Sequence, residues 1–203
     1  MAASQMQAWT IWVIGGERPL APFRAMAPLR MAKKAACLSL VLGCLVGPVR
    51  AEEEIRPDWM AFDAEKRVVQ LLLVGAADGS NGTMNFNGYG NGDMTIVVPF
   101  GWRVEVEFLN KGYGALPHSL VIMNEVRPLP IEGGVPAFPR ALTRQLVPGL
   151  APGERDSFDF VANKEGRFLW FCGVTGHGVV GMWDYLVVSK EVKIPGVRVK
   201  TRK

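Results

Sequence analysis

Between Glu52 and Ser189 the apolar residues fall into seven short runs, none of them long enough or spaced correctly to make an amphipathic helix. The runs cover residues 68–75, 94–100, 103–110, 118–123, 156–162, 167–173 and 182–189, and each is bounded by turn-forming residues. Runs of this length bury their apolar side chains only by pairing as strands. The segment Arg103-Val-Glu-Val-Glu-Phe alternates strictly, which places Val104, Val106 and Phe108 on a core face and Arg103, Glu105 and Glu107 toward solvent. Asn87-Gly88 and Asn91-Gly92 supply left-handed turn positions, and Pro99-Phe-Gly101, Ala151-Pro-Gly153 and Lys164-Glu-Gly166 punctuate the rest. The expectation is an all-β sandwich forming a single domain. Residues 125–153, rich in Pro and Gly, read as a long excursion with one helical turn near residues 141–145.

The formal charge of +4 invites a nucleic-acid reading, but the positive charge sits at the ends. Residues 1–51 hold six basic residues against Glu17, and the stretch from Lys190 holds six against Glu191, leaving residues 52–189 with 11 basic and 17 acidic residues. An acidic body of this kind does not bind phosphate backbones. Lys33 and Lys34 precede a 13-residue apolar run, Ala35 to Gly47, and then Pro48-Val-Arg-Ala51, the pattern of a secretory signal peptide cut ahead of Glu52. The run is short of the ~20 residues a membrane-crossing helix needs. Residues 1–30 lie too far upstream to belong to the signal and read as an over-extended gene start, with Met31 as the true one. The expected organisation is therefore 1–51 as extension plus signal (31–51), 52–189 as the domain and 190–203 as a basic, solvated tail. The expected location is extracytoplasmic, in the periplasm, with peripheral attachment to an anionic membrane through that tail as the alternative.

Removal of the signal takes Cys37 and Cys44 with it, so Cys172 becomes the one thiol of an exported chain whose only histidines are His118 and His177. The neighbourhood of Cys172 reads FLWFCGVTGHGVVGMW, with His177 five positions on and Met182 five further, while His118 lies 54 residues upstream. One thiolate, two imidazoles and one thioether form the donor set of a mononuclear blue-copper centre, two His and a Cys in a plane with a weak axial Met. Sulfur donors favour Cu(I), imidazole serves both oxidation states, and a geometry between the two preferences lets an electron come and go with little rearrangement. Gly173, Gly176, Gly178 and Gly181 allow the loop carrying three of the four donors to fold tightly. Taken singly, Cys172 reads as a buried small hydrophobe, His118 as a structural histidine and Met182 as core. Taken together, the coincidence of spacing favours copper.

The chain from about Arg67 to Ser189 resembles the cupredoxins, most nearly the sulfocyanins and next the rusticyanins. The resemblance rests on MNFNGYGNGDMTIVVPFGW (84–102), EVEFLN (105–110), LPHSLVIMN (116–124) and FCGVTGHGVVGMW (171–183). It implies a Greek-key sandwich holding one type 1 copper through His118, Cys172, His177 and Met182, and single-electron transfer between respiratory partners, such as a cytochrome or terminal oxidase, outside the cytoplasmic membrane. Ser119 follows the first histidine, where its hydroxyl is expected to hold the cysteine-bearing loop. The chain reads as a monomeric carrier and not an enzyme: a copper oxidase or nitrite reductase needs a further histidine-rich cluster, and a binuclear centre needs a second thiolate. A copper chaperone remains the alternative, since it shares the donor types but not reversible redox chemistry. A metal-free secreted sandwich is the outcome if copper does not bind. Burial of Cys172 among Leu169, Trp170 and Phe171, with few donors aimed at the sulfur, is expected to raise the reduction potential.

Overall fold

The computed structural model describes residues 50–201, so the expected targeting segment and the expected start at Met31 lie outside the described residues. Ten strands form in chain order: β1 (Glu52–Ile55), β2 (Met60–Asp63), β3 (Val68–Gly75), β4 (Met94–Pro99), β5 (Arg103–Asn110), β6 (Val121–Asn124), β7 (Arg155–Val161), β8 (Gly166–Phe171), β9 (Trp183–Ser189) and β10 (Gly196–Lys200). There is no α-helix among the described residues, and the helical turn expected near residues 141–145 is absent. One sheet has the order β1-β10-β4-β9-β8-β6 and the other β2-β3-β5-β7. The chain changes sheet at every connection from β3 to β8, which gives the predicted sandwich its two layers.

Alternation in the sequence sets the packing. Val69, Leu71 and Leu73 of β3 stand beside Val104, Val106 and Phe108 of β5 in a parallel register, and all six are buried. From the opposing sheet Ile96, Val98, Trp170, Leu186 and Val188 meet them in one core. Filling such a core with aliphatic side chains contributes about 1.5–3 kcal/mol for each one removed from water.

Two segments depart from the expectation. The excursion after Asn124 is a cover for an edge strand, because the Ala137 amide donates to Ile122, the Ile122 amide to Ala141 and the Thr143 amide to Leu120, at 2.7–2.9 Å. Phe138 drops from it into the core, stacking on Phe160 and meeting Phe168 at a tilt, both at 4.8 Å between ring centroids. Pro and Gly content hides such a segment from any periodicity argument. The second correction concerns the basic tail: Gly196–Lys200 is a strand paired with both β1 and β4, with Val197 and Val199 buried and Arg198 exposed between them. The sandwich therefore continues past residue 189 through residue 200, and the alternation that explains it is masked in sequence by the lysines and arginines.

The β8–β9 hairpin is joined by residues 172–182, so the strand pairing Phe171 with Trp183 brings Cys172 and Met182 to the root of one loop. Antiparallel pairing of Val121 with Phe171 sets the chain segment before β6 beside that root.

Candidate metal centre

His118 was expected at the start of a strand, but β6 begins three residues later and His118 instead forms an isolated bridge with Leu150. Its amide donates to Leu150 at 3.1 Å and the Leu150 amide returns the bond at 2.8 Å. The buried Asn110 side chain donates to the carbonyls of Leu116 and Leu150, at 2.9 and 2.8 Å, tying the segment that leads into the histidine to the histidine's bridge partner. Sequence reasoning missed Asn110. It ends an alternating strand on an inward position, and a polar residue there was the available signal.

His118 is fully buried, and neither ring nitrogen has a hydrogen-bond partner. Two orphaned imidazole nitrogens in an apolar interior are costly unless something takes a lone pair. Donor atoms of His118, Cys172 and His177 lie within 4.8 Å of one another, and Cys172 Sγ is 3.6 Å from His177 Nδ1. The imidazole rings stand 5.0 Å apart at 51°. Burial and the neighbouring His177 push the His118 pKa down to about 4, and burial lowers that of His177 as well. Both rings are thus neutral at ordinary pH, with lone pairs free for a cation. Burial pushes the metal-free Cys172 thiol up to about 11, against the pull of amides at Ser119 and Val174. A cation that displaces the thiol proton reverses that balance. Two neutral nitrogens and one sulfur, with no carboxylate, suit copper or zinc and not the hard cations.

Met182 is also fully buried, and its backbone is tied to two of these three residues: its amide donates to His177 and its carbonyl accepts from Cys172, both at 3.0 Å. Ser119 acts as the sequence suggested. Its Oγ accepts the Gly173 amide at 2.9 Å, its own amide points at Cys172 Sγ at 3.5 Å, and Oγ lies 4.0 Å from the sulfur. The donors aimed at the sulfur therefore include one from the chain before β6, outside the glycine-rich loop. The apolar shell also differs from the expectation, because strand alternation puts Trp170 and Cys172 in the main core while Leu169 and Phe171 face the outer cluster with Val121, Met123 and Trp183.

The loop glycines serve close approach as much as bending. A Cβ on Gly178 would sit 1.8 Å from Phe171 Cζ, so the ring packs directly beneath the loop that presents His177. Next to the half-buried His177 in the chain, Val179 and Val180 are exposed at 46% and 58%, an apolar edge beside the one imidazole that reaches toward the surface.

A family model described as the sulfocyanin (SoxE) domain matches residues 58–198. The chain is similar to a sulfocyanin of Sulfolobus acidocaldarius, 29% identical over 141 residues that span 66% of this chain and 70% of that one. Among solved structures it is similar to a rusticyanin variant, with 17% identity, a TM-score of 0.47 and coverage of 69% of this chain and 98% of that one. It is also similar to the reduced auracyanin of Roseiflexus castenholzii, with 20% identity, a TM-score of 0.42 and coverage of 59% and 96%.

Proposed function

This chain belongs to the sulfocyanin family of cupredoxins, which are copper electron-transfer proteins with one type 1 copper, and from that premise we propose that it shuttles single electrons between respiratory proteins outside the cytoplasm. The observation that carries the reading is fully buried His118, both of whose ring nitrogens are unpartnered and one of which lies within 4.8 Å of a buried cysteine sulfur and of a second imidazole nitrogen. His118, Cys172 and His177 would hold the copper, with Met182 as the weaker fourth donor. Bound copper supplies one-electron chemistry.

The chain's own residues do the rest. Packing of Trp170 and Cys172 in the core excludes water from the sulfur, and the hydrogen bonds from Ser119 and into Met182 hold the donors before metal arrives. Donors fixed in advance oppose the rearrangement that a change of oxidation state otherwise demands. Of the four donor residues His177 alone reaches the surface, so its edge offers the way out, and the exposed Val179 and Val180 beside it suit a weak, transient partner such as a cytochrome or a terminal oxidase. The chain acts as a monomer and carries out no bond-making reaction of its own.

The alternative, a copper chaperone, differs in redox behaviour. In film voltammetry of the copper-loaded protein a carrier gives a reversible one-electron wave at a fairly high potential. Copper that is lost on each reduction cycle would favour delivery over electron transfer.

A further inference from the structure

The motif Asn85-Phe-Asn-Gly-Tyr-Gly-Asn-Gly92 contributes no metal donor, yet its asparagines are occupied in an ordered way. The buried Asn85 side chain receives the amides of Ala77 and Gly88 and donates to the carbonyls of Asp78 and Ser80. Asn87 exchanges side-chain bonds with the backbone of Leu72 and Val74 on β3, at 3.1 and 2.5 Å. These two residues fix the loop to the body of the sandwich. The other end of the loop grips the metal-binding segment. The Asn91 amide donates to the Gly181 carbonyl at 2.8 Å and the Gly92 amide to the Trp183 carbonyl at 3.0 Å, so the residues on either side of Met182 are both held. Asn81, just upstream, donates through Nδ2 to Met84 at 2.8 Å and Val180 at 3.4 Å, and accepts from Asn91 Nδ2 at 3.1 Å.

The approach is close enough to dictate residue type on both sides. A Cβ on Gly181, whose φ is +109°, would lie 2.3 Å from Asn91 Oδ1, and one on Gly90 would lie 2.7 Å from the Gly181 carbonyl oxygen. Asn81 and Asn91 have φ of 50° and 58°, a region that Asn tolerates better than most side chains. From inside, Met182 is already bonded to Cys172 and His177. From outside, its neighbours are bonded to a loop anchored on a different sheet.

We propose that the loop from Asn81 to Gly92 is a bracket that sets the position of the Met182 thioether, with Asn81 and Asn91 as positioning residues that touch no metal. The proposal rests on the reading of Met182 as the fourth donor. The fourth donor of such a site would tune its reduction potential, so a bracket on the residues flanking Met182 would act on the potential without touching the metal.

The test compares four copper-loaded proteins by voltammetry and EPR. They are wild type, Met182→Leu, the double variant Asn81→Gly/Asn91→Gly, and Val69→Ala in the core of the other sheet. Glycine keeps the left-handed backbone while removing the side-chain bonds. The double variant is expected to raise the potential and alter the EPR spectrum in the same sense as Met182→Leu and by less. Val69→Ala is expected to lower the melting temperature and leave both signals in place. If Met182→Leu shifts the signals while the double variant matches wild type, the bracket is overturned. If Met182→Leu itself changes nothing, the ligand assignment fails and the proposal with it.

Discussion

Replacement of Ser119 by Ala deletes one oxygen that serves two neighbours. In the wild-type chain Oγ accepts the Gly173 amide at 2.9 Å, leaving its own proton free toward Cys172 Sγ at 4.0 Å, and the residue is fully buried. The vacated space is that of a single oxygen, below what a water molecule requires, so the Gly173 amide loses its partner outright. An unsatisfied buried donor costs about 1–3 kcal/mol, which for a domain of this size lowers the melting temperature by roughly 3–10 °C. The sulfur effect is smaller and separable. A hydroxyl oxygen 4.0 Å from sulfur makes a weak contact, and its loss leaves the thiolate a slightly stronger donor to the oxidised metal. Taken at roughly 0.5 kcal/mol, the change lowers the one-electron potential by about 20 mV. Thermal melts of the metal-free protein read the first quantity and voltammetry of the copper-loaded protein the second. A variant that melts within a degree of wild type, at an unchanged potential, would refute the assignment of Ser119 as the residue that ties the cysteine loop to the β6 segment.

Three further outcomes are expected. Metal-free protein should lose about 3 kcal/mol of stability as pH falls from about 6.5 to about 4, because buried His118, with its pKa pushed down to about 4, takes up its proton in the unfolded chain first. The contribution is whole above 6.5, and copper occupying the imidazole should remove the loss from this window; denaturant midpoints that stay flat across it without metal would contradict the burial argument. Gly178→Ala forces a Cβ onto the Phe171 ring and should cost at least the 1–3 kcal/mol typical of overpacking, with faster copper loss measured by chelator challenge, whereas unaltered copper retention would show that the loop does not rest on that ring. Val180→Glu, on the exposed edge beside His177, should slow electron exchange with a redox partner in stopped flow while leaving the blue colour intact, and unchanged kinetics would move the exit away from His177.

How legible each part was in the sequence follows from where its information resides. Alternation in residues 103–108 placed Val104, Val106 and Phe108 inward because period two is a local property, and the structure buries all three. The three candidate donors were readable because residues 52–203 hold only two histidines and one cysteine, so that chance is a poor account of their spacing, and the fold brings the three together. What escaped was non-local. Phe138 enters the core from a segment with no period of its own, and its neighbours Phe160 and Phe168 come from β7 and β8. The strand Gly196–Lys200 was hidden by charges that point outward, although Val197 and Val199 alternate correctly. Asn110 escaped because its two acceptors, Leu116 and Leu150, become neighbours only when the excursion returns to the sheet.

The central claim is that a buried Cys172 thiolate binds copper together with His118 and His177. Visible and EPR spectra of the Cu(II)-loaded chain, recorded beside Cys172→Ala, test it most directly. The account predicts an intense blue thiolate-to-copper band with narrow copper hyperfine splitting in the wild type, both lost in the variant. A wild-type chain that stays colourless with Cu(II), or a band that survives removal of the sulfur, would contradict it.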